Sequence, residues 1–192
     1  MHVSPILSIE EYQKLKDNPQ VKTFDVRGQW GLSPKALKSE YLKGHIPGAQ
    51  FIDWMQDFLE PHKNTAMAPV ANFETAQRSF EKLGIHGEDT VVLYDDSQSL
   101  FAARTWWAMT YWGHPQVKIL DGGWGRWQQL GLETSSGEGP SPGLGSFQPL
   151  AREDWLVDTA KVKDSLGKAH LLDSRGSKGF TKGHIELSLI HI

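Results

Sequence analysis

The chain has 192 residues, 39% of them hydrophobic and 22% charged, and a net charge of −3, which is one ordinary globular domain, or one and part of another. That charge balance gives no reason to expect a nucleic-acid or anionic-membrane partner. No apolar run approaches the ~18 residues of a membrane span, and the absence of cysteine excludes disulfides, thiolate metal sites and thiol nucleophiles within these residues.

The first five residues show neither a basic stretch nor an apolar one, so no secretory signal is expected and a cytoplasmic location is the default. Ser8 and Glu11 have the spacing of a capping box, which predicts a short helix to about Lys16. Residues 21–26 read as a strand. Residues 28–43 are polar and broken by Gly31 and Pro34, so they read as irregular. Residues 44–49 form a turn, residues 50–52 a short strand, and 57–71 a surface loop. Asn72 caps a helix ending at Gly84, with Phe73, Ala76, Phe80 and Leu83 on one face. Residues 90–94 are a strand, and 99–112 are the longest helix. A strand at 117–120, a Gly turn and a helix to Leu130 follow. This alternation predicts an α/β domain with a parallel sheet flanked by helices on both faces.

The pattern closes near residue 133. Residues 134–149 are rich in Gly, Ser and Pro and read as a linker. Residues 150–192 then begin again, with a helix at 158–166 and a strand at 169–172. Asp25-Val26-Arg27 and Lys43-Gly44-His45-Ile46 recur as Asp173-Ser174-Arg175 and Lys182-Gly183-His184-Ile185. This is read as a tandem duplication with an incomplete second copy. The separation of Asp25 from His45 is 20 residues, that of Asp173 from His184 is 11, and the second copy lacks Pro-Gly-Ala after its Ile. A helix and a strand cannot bury a core, so residues 150–192 are expected to be poorly ordered alone.

The chain is organised around residues 90–104, a strand ending in Asp95-Asp96-Ser97 before a helix. In a parallel α/β sheet that loop lies where ligands bind, and its backbone N–H groups form an anion cradle at the helix N-terminus. Asp95 at its rim reads as helix capping, with a carboxylate nucleophile as the alternative. No metal-ligand spacing joins the scattered histidines, so neither a metal nor a cofactor is expected.

Asp25-Val26-Arg27, Tyr41-Leu42-Lys43-Gly44-His45-Ile46-Pro47-Gly48-Ala49, residues 91–96, residues 101–107 and Leu120-Asp121-Gly122-Gly123-Trp124 resemble, in order, the two-domain rhodanese-type sulfurtransferases. The resemblance implies a rhodanese-like domain at 1–133, catalytically silent, and a truncated start of a second at 150–192. In such proteins a cysteine of the second domain takes sulfane sulfur from thiosulfate or 3-mercaptopyruvate as a persulfide. It passes that sulfur to a thiophilic acceptor such as cyanide or a thiol. The silent domain carries an acidic residue at the cysteine's position, which Asp95 matches, and packs against the active domain when that is complete.

The chain as written is therefore expected to be inactive. The alternative is a non-catalytic rhodanese-like binding or regulatory module. The implied partner of the full-length protein is a small anionic sulfur donor, and Arg175 is the candidate to bind it, a guanidinium suiting an anion. Asp25, Arg27, His45, Asp96, Arg104, Asp173 and His184 are expected to form structural polar networks, with Arg104 paired to a loop carboxylate. Trp106, Trp107, Trp112, Trp124 and Trp127 read as core or interdomain packing.

Overall fold

The computed structural model describes residues 4–31, 33–60 and 69–190. The first strand, β1 (Ile6–Leu7), precedes helix α1 (Ile9–Leu15), whose start is fixed as expected. The Ser8 hydroxyl accepts the Glu11 N–H, and the Glu11 carboxylate accepts the Ser8 N–H. Strand β2 (Val21–Asp25) leads to a hairpin of β3 (Gly28–Gln29) and β4 (Lys35–Ala36), then helix α2 (Lys38–Lys43) and strand β5 (Gln50–Phe51). Next come α3 (Phe73–Lys82), β6 (Thr90–Tyr94), α4 (Leu100–Tyr111), β7 (Val117–Leu120) and α5 (Gly123–Gln129). The five longer-range strands pair in parallel in the order β1-β7-β6-β2-β5.

Alternation along the strands builds two cores. Val91 and Leu93 of β6 join Phe24, Phe80, Phe101 and Met109 on one face. Val92 and Tyr94 join Tyr12, Ile46, Trp124 and Trp127 on the other. The chain runs from β2 to β5 on one side and then to β6 on the other. The sheet thus reverses direction at β2, and the crevice beyond the ends of β2 and β6 is its natural site.

Several expectations are corrected here. Residues 28–43 are not irregular; they hold β3, β4 and α2. The N-cap of α2, Leu37, makes no side-chain cap bond, so no capping residue announces the helix. Residues 61–68 of the expected surface loop lie outside the described residues. Of its remainder, Phe58, Leu59 and Ala71 are buried. Phe73, expected on the core face of α3, is 44% exposed and rests edge-on against Trp112.

The Gly/Ser/Pro stretch, read from sequence as a linker, runs as a strap along the first of two compact units, Met1–Arg152. Ser135 and His45 exchange backbone hydrogen bonds, and Gly137 N–H donates to Leu42. Farther on, Gly145 donates to Glu81, Ser146 and Phe147 to Ile85, Leu150 to Trp112 and Arg152 to Tyr111. Glycine serves close approach here: a methyl at Gly145 would meet Ile85 N, Ile85 O and Phe80 O at 2.5 Å.

The second unit, Glu153–Ile192, contains a 3-10 turn (Glu153–Trp155), α6 (Thr159–Asp164), β8 (Leu172–Asp173), α7 (Ser177–Lys182) and β9 (Leu189–Ile190). Asp158 caps α6 by accepting the Lys161 N–H. Strand β8 pairs in parallel with β9. No described residue after Arg152 is buried. No helix among the described residues is long and apolar enough to cross a membrane.

Candidate functional site

The crevice at the end of β6 is built around Asp95, 3% exposed. Its Oδ1 accepts the N–H groups of Ser97 and Ser99 at 2.8 and 2.9 Å, and its Oδ2 those of Phe101 and Ala102 at 2.8 and 3.0 Å. The loop achieves this with Gln98 and Ser99 at φ 55° and 63°, which turns successive N–H groups inward. Ser99, at the N-cap of α4, makes no side-chain cap bond. Asp95 caps that helix from the strand side and satisfies donors that would otherwise be orphaned. The turn after β7 closes over it: Trp124 N–H donates to Asp95 O at 2.8 Å. An open cleft above is lined by Asp96, Gln98, Ser99, Asp121, Gly122 and Gly125.

The expected polar residues lie in different surroundings. Asp96 is exposed on the loop and accepts from the Ser97 hydroxyl at 3.1 Å. The Arg104 guanidinium lies over Trp107 at 5.1 Å, and burial lowers its basicity. Asp25, Arg27 and His45 do come together. Arg27 Nε donates to both Asp25 oxygens at 3.1 and 2.9 Å, its backbone N–H to Oδ1 at 2.9 Å, and its Nη2 to Gly44 O at 2.6 Å. His45 Nδ1 lies 2.9 Å from Tyr41 O, and the two rings stack at 4.2 Å. The Arg27 guanidinium sits 4.8 Å over Trp124. Tyr94 OH accepts the Ile46 N–H at 3.1 Å.

The second unit repeats the Arg–Asp–His contacts of this clasp. Arg175 Nε donates to both Asp173 oxygens at 2.9 and 3.1 Å, its backbone N–H to Oδ1 at 2.9 Å, and its Nη2 to Gly183 O at 2.7 Å. His184 Nδ1 lies 3.0 Å from Phe180 O, with the rings stacked at 3.8 Å. Strand register agrees as well: Asp25 pairs with Phe51 and Asp173 with Ile190. The expected donor-binding residue Arg175 thus sits where Arg27 sits in the first unit. Sequence reasoning missed Tyr41 and Phe180; an aromatic four residues before each Gly-His histidine was the available signal.

Environment separates the two clasps. Burial pushes the Asp25 carboxyl up, against the opposing pull of Arg27 and the Tyr94 hydroxyl. Tyr94 is pushed well up by burial and by Asp25. Asp173 is more open, so the Arg175 hydrogen bonds dominate and lower it to about 2. One further difference is testable. The turns match, with Ala49 N–H on Ile46 O and Ser188 N–H on Ile185 O, both at 3.0 Å. Yet Gly48 at φ 78° is answered by Leu187 at φ 61°. A left-handed leucine costs about 1–2 kcal/mol, and glycine's extra unfolded-state freedom takes back part of the gain. Leu187→Gly is expected to stabilise the β8–β9 pairing by about 1 kcal/mol, slowing exchange of the Leu189 amide roughly fivefold. An unchanged or faster exchange would count against this.

Comparison with known proteins agrees with this architecture. The family model for the Rhodanese-like domain matches residues 8–130. The "Sulfur carrier protein TtuD" of Thermus thermophilus is 31% identical over 187 residues, 93% of this chain and 60% of that protein. A "Probable 3-mercaptopyruvate sulfurtransferase" of Pseudomonas aeruginosa is 34% identical over 151 residues, 76% of this chain and 52% of that protein. The crystal structure of the 3-mercaptopyruvate sulfurtransferase SseA of Escherichia coli superposes with a TM-score of 0.84 at 25% identity, covering 98% of this chain and 74% of that one. The chain spans between half and two thirds of the length of these curated relatives. With a parallel sheet flanked by helices, a matched domain over most of the first unit and sulfurtransferases among its relatives, the chain belongs to the rhodanese-like family.

Proposed function

We propose that this chain is the catalytically silent part of a sulfurtransferase. The whole protein moves sulfane sulfur from thiosulfate or 3-mercaptopyruvate to a thiophilic acceptor, cyanide or a thiol. In that chemistry a cysteine thiolate attacks the sulfane sulfur of the donor, forms a persulfide and releases sulfite or pyruvate; the acceptor then takes the outer sulfur. A ring of backbone N–H groups suits the anionic persulfide.

The observation that carries the reading is the Asp95 carboxylate held by four backbone N–H groups. The anion cradle of the first unit is filled by its own side chain. A carboxylate carries no sulfane sulfur in this way, and the 192 residues include no cysteine. The matched clasps and strand registers support reading residues 153–192 as the first part of a second rhodanese-like copy. With its Nε and Nη2 committed to Asp173 and Gly183, as those of Arg27 are to Asp25 and Gly44, Arg175 serves as a positioning residue. Its side chain is still 55% exposed, so Arg175 remains the candidate counter-charge for the anionic donor of the whole protein.

The purified 192-residue chain is expected to form no thiocyanate above a buffer blank when given thiosulfate and cyanide. Measurable turnover would refute the silent reading. The filled cradle also favours a second reading, a rhodanese-like module that binds without turnover. A coding sequence that continues into a cysteine-bearing loop selects the sulfurtransferase; one that does not selects the module.

A further inference from the structure

The strap meets the first unit most intimately at residues 145–147, where Gly145, Ser146 and Phe147 each donate a backbone hydrogen bond to it. Phe147 lies between the rings of Phe80, 4.6 Å away, and His114, 4.8 Å away. His114 is fully buried and stacks on Phe80 at 5.9 Å, so the three rings form one triangle. Both of its nitrogens face backbone groups of fixed role. Nε2 lies 3.1 Å from the His86 carbonyl, and Nδ1 lies 3.4 Å from the Gln116 N–H. A carbonyl only accepts and an N–H only donates, so the ring is neutral with its proton on Nε2. A second proton on Nδ1 would point at the Gln116 N–H.

We propose that His114 is the pin of an acid-released latch: protonation of its ring lifts residues 145–147 off the first unit. An imidazolium needs water or a counter-charge. The charged and titratable groups facing it are few. From the loop before β6 come Asp89, buried and accepting the His86 N–H at 2.8 Å, and His86 itself; α3 offers Phe80 and the strap Phe147. Cation–π attraction to those rings offers on the order of 2 kcal/mol, and the pull of Asp89 is smaller than the effect of burial, so the several kcal/mol of burying a charge favours hydrating the ring. Phe80 is core, whereas Phe147 is only half-buried, so lifting the strap is the easiest way to hydrate the ring.

Burial lowers the basicity of His114 below the usual 6.5, against smaller upward effects of His86 O and Asp89. For a group lowered by folding, the stabilisation is complete above its unfolded pKa and is lost as pH falls through the folded one. The window therefore opens below 6.5. His86 also touches the strap, its Nδ1 2.8 Å from Ser146 Oγ. A hydroxyl can both donate and accept, so that bond survives in either charge state.

The test is hydrogen exchange followed by NMR on the full chain at pH 7 and pH 5, corrected for intrinsic rates. The Gly145, Ser146 and Phe147 amides are expected to lose about tenfold in protection, one pH unit of proton linkage, while Val91 and Leu93 keep theirs. In His114→Gln, whose amide can still donate to His86 O without titrating, the three amides are expected to be insensitive to pH. The same loss in His114→Gln, or an equal loss in β6, overturns the proposal. Should that variant not fold, the wild-type His114 ring titration decides. A midpoint matching the loss of protection supports the latch, and a loss without His114 titration overturns it.

Discussion

Replacing Arg27 by alanine is expected to lower the unfolding free energy by about 3–5 kcal/mol, the range found when one partner of a buried ion pair is removed. The Asp25 and Arg27 side chains are 0% and 4% exposed, with Nη2 2.7 Å from Oδ2. Without the guanidinium, Asp25 is left buried opposite Tyr94, the Gly44 carbonyl loses its donor, and Trp124 loses the cation above its ring. The equivalent change, Arg175→Ala, removes the same bonds from a guanidinium that is 55% exposed. Water replaces them there, so a far smaller effect is expected. Urea unfolding of the two variants checks the contrast. Equal losses would mean that the matched geometry, and not its burial, sets the energy.

Asp95→Asn is expected to cost about 2–4 kcal/mol, the scale of two buried donors left unpaired. Asparagine normally replaces aspartate at a helix cap with little penalty. Here it does not, because both carboxylate oxygens accept two N–H groups each. In either orientation, the amide turns its own N–H2 toward two backbone N–H groups. The measurement is the shift in urea midpoint. A variant within about 0.5 kcal/mol of the wild type, the ordinary range of a neutral substitution, would show that the loop adapts or that water enters it.

How much of this was legible from sequence varied with the kind of signal. Ser8, Asn72 and Asp158 each stand three residues before the N–H they accept, and each lies where a helix is legible in the sequence. The apolar runs at 90–94 and 117–120 became central strands of the parallel sheet. Helix α2 carries no capping side chain, and its buried contribution is Tyr41, so nothing periodic marked it. Strand β1 is two residues long and exists because Ile6 and Leu7 pair with Ile119 and Leu120, a partner more than a hundred residues away. The contacts of the strap are not legible in its composition, because glycine permits both loose chain and close contact. Only the backbone atoms of Ile85 beside Gly145 distinguish the two. The Asp95 loop could be placed from sequence; that both oxygens would be saturated by four N–H groups depends on the left-handed Gln98 and Ser99, which no residue type announced.

The strap also determines where the first unit can be cut from its neighbour. A fragment ending at Leu132, where the repeating pattern fades, would strip Phe147 from Phe80 and His114 and leave the Ile85, Tyr111 and Trp112 carbonyls without their donors. A fragment ending at Arg152 retains every one of those partners. Expression boundaries for the isolated domain therefore belong some twenty residues downstream of the place that composition suggests.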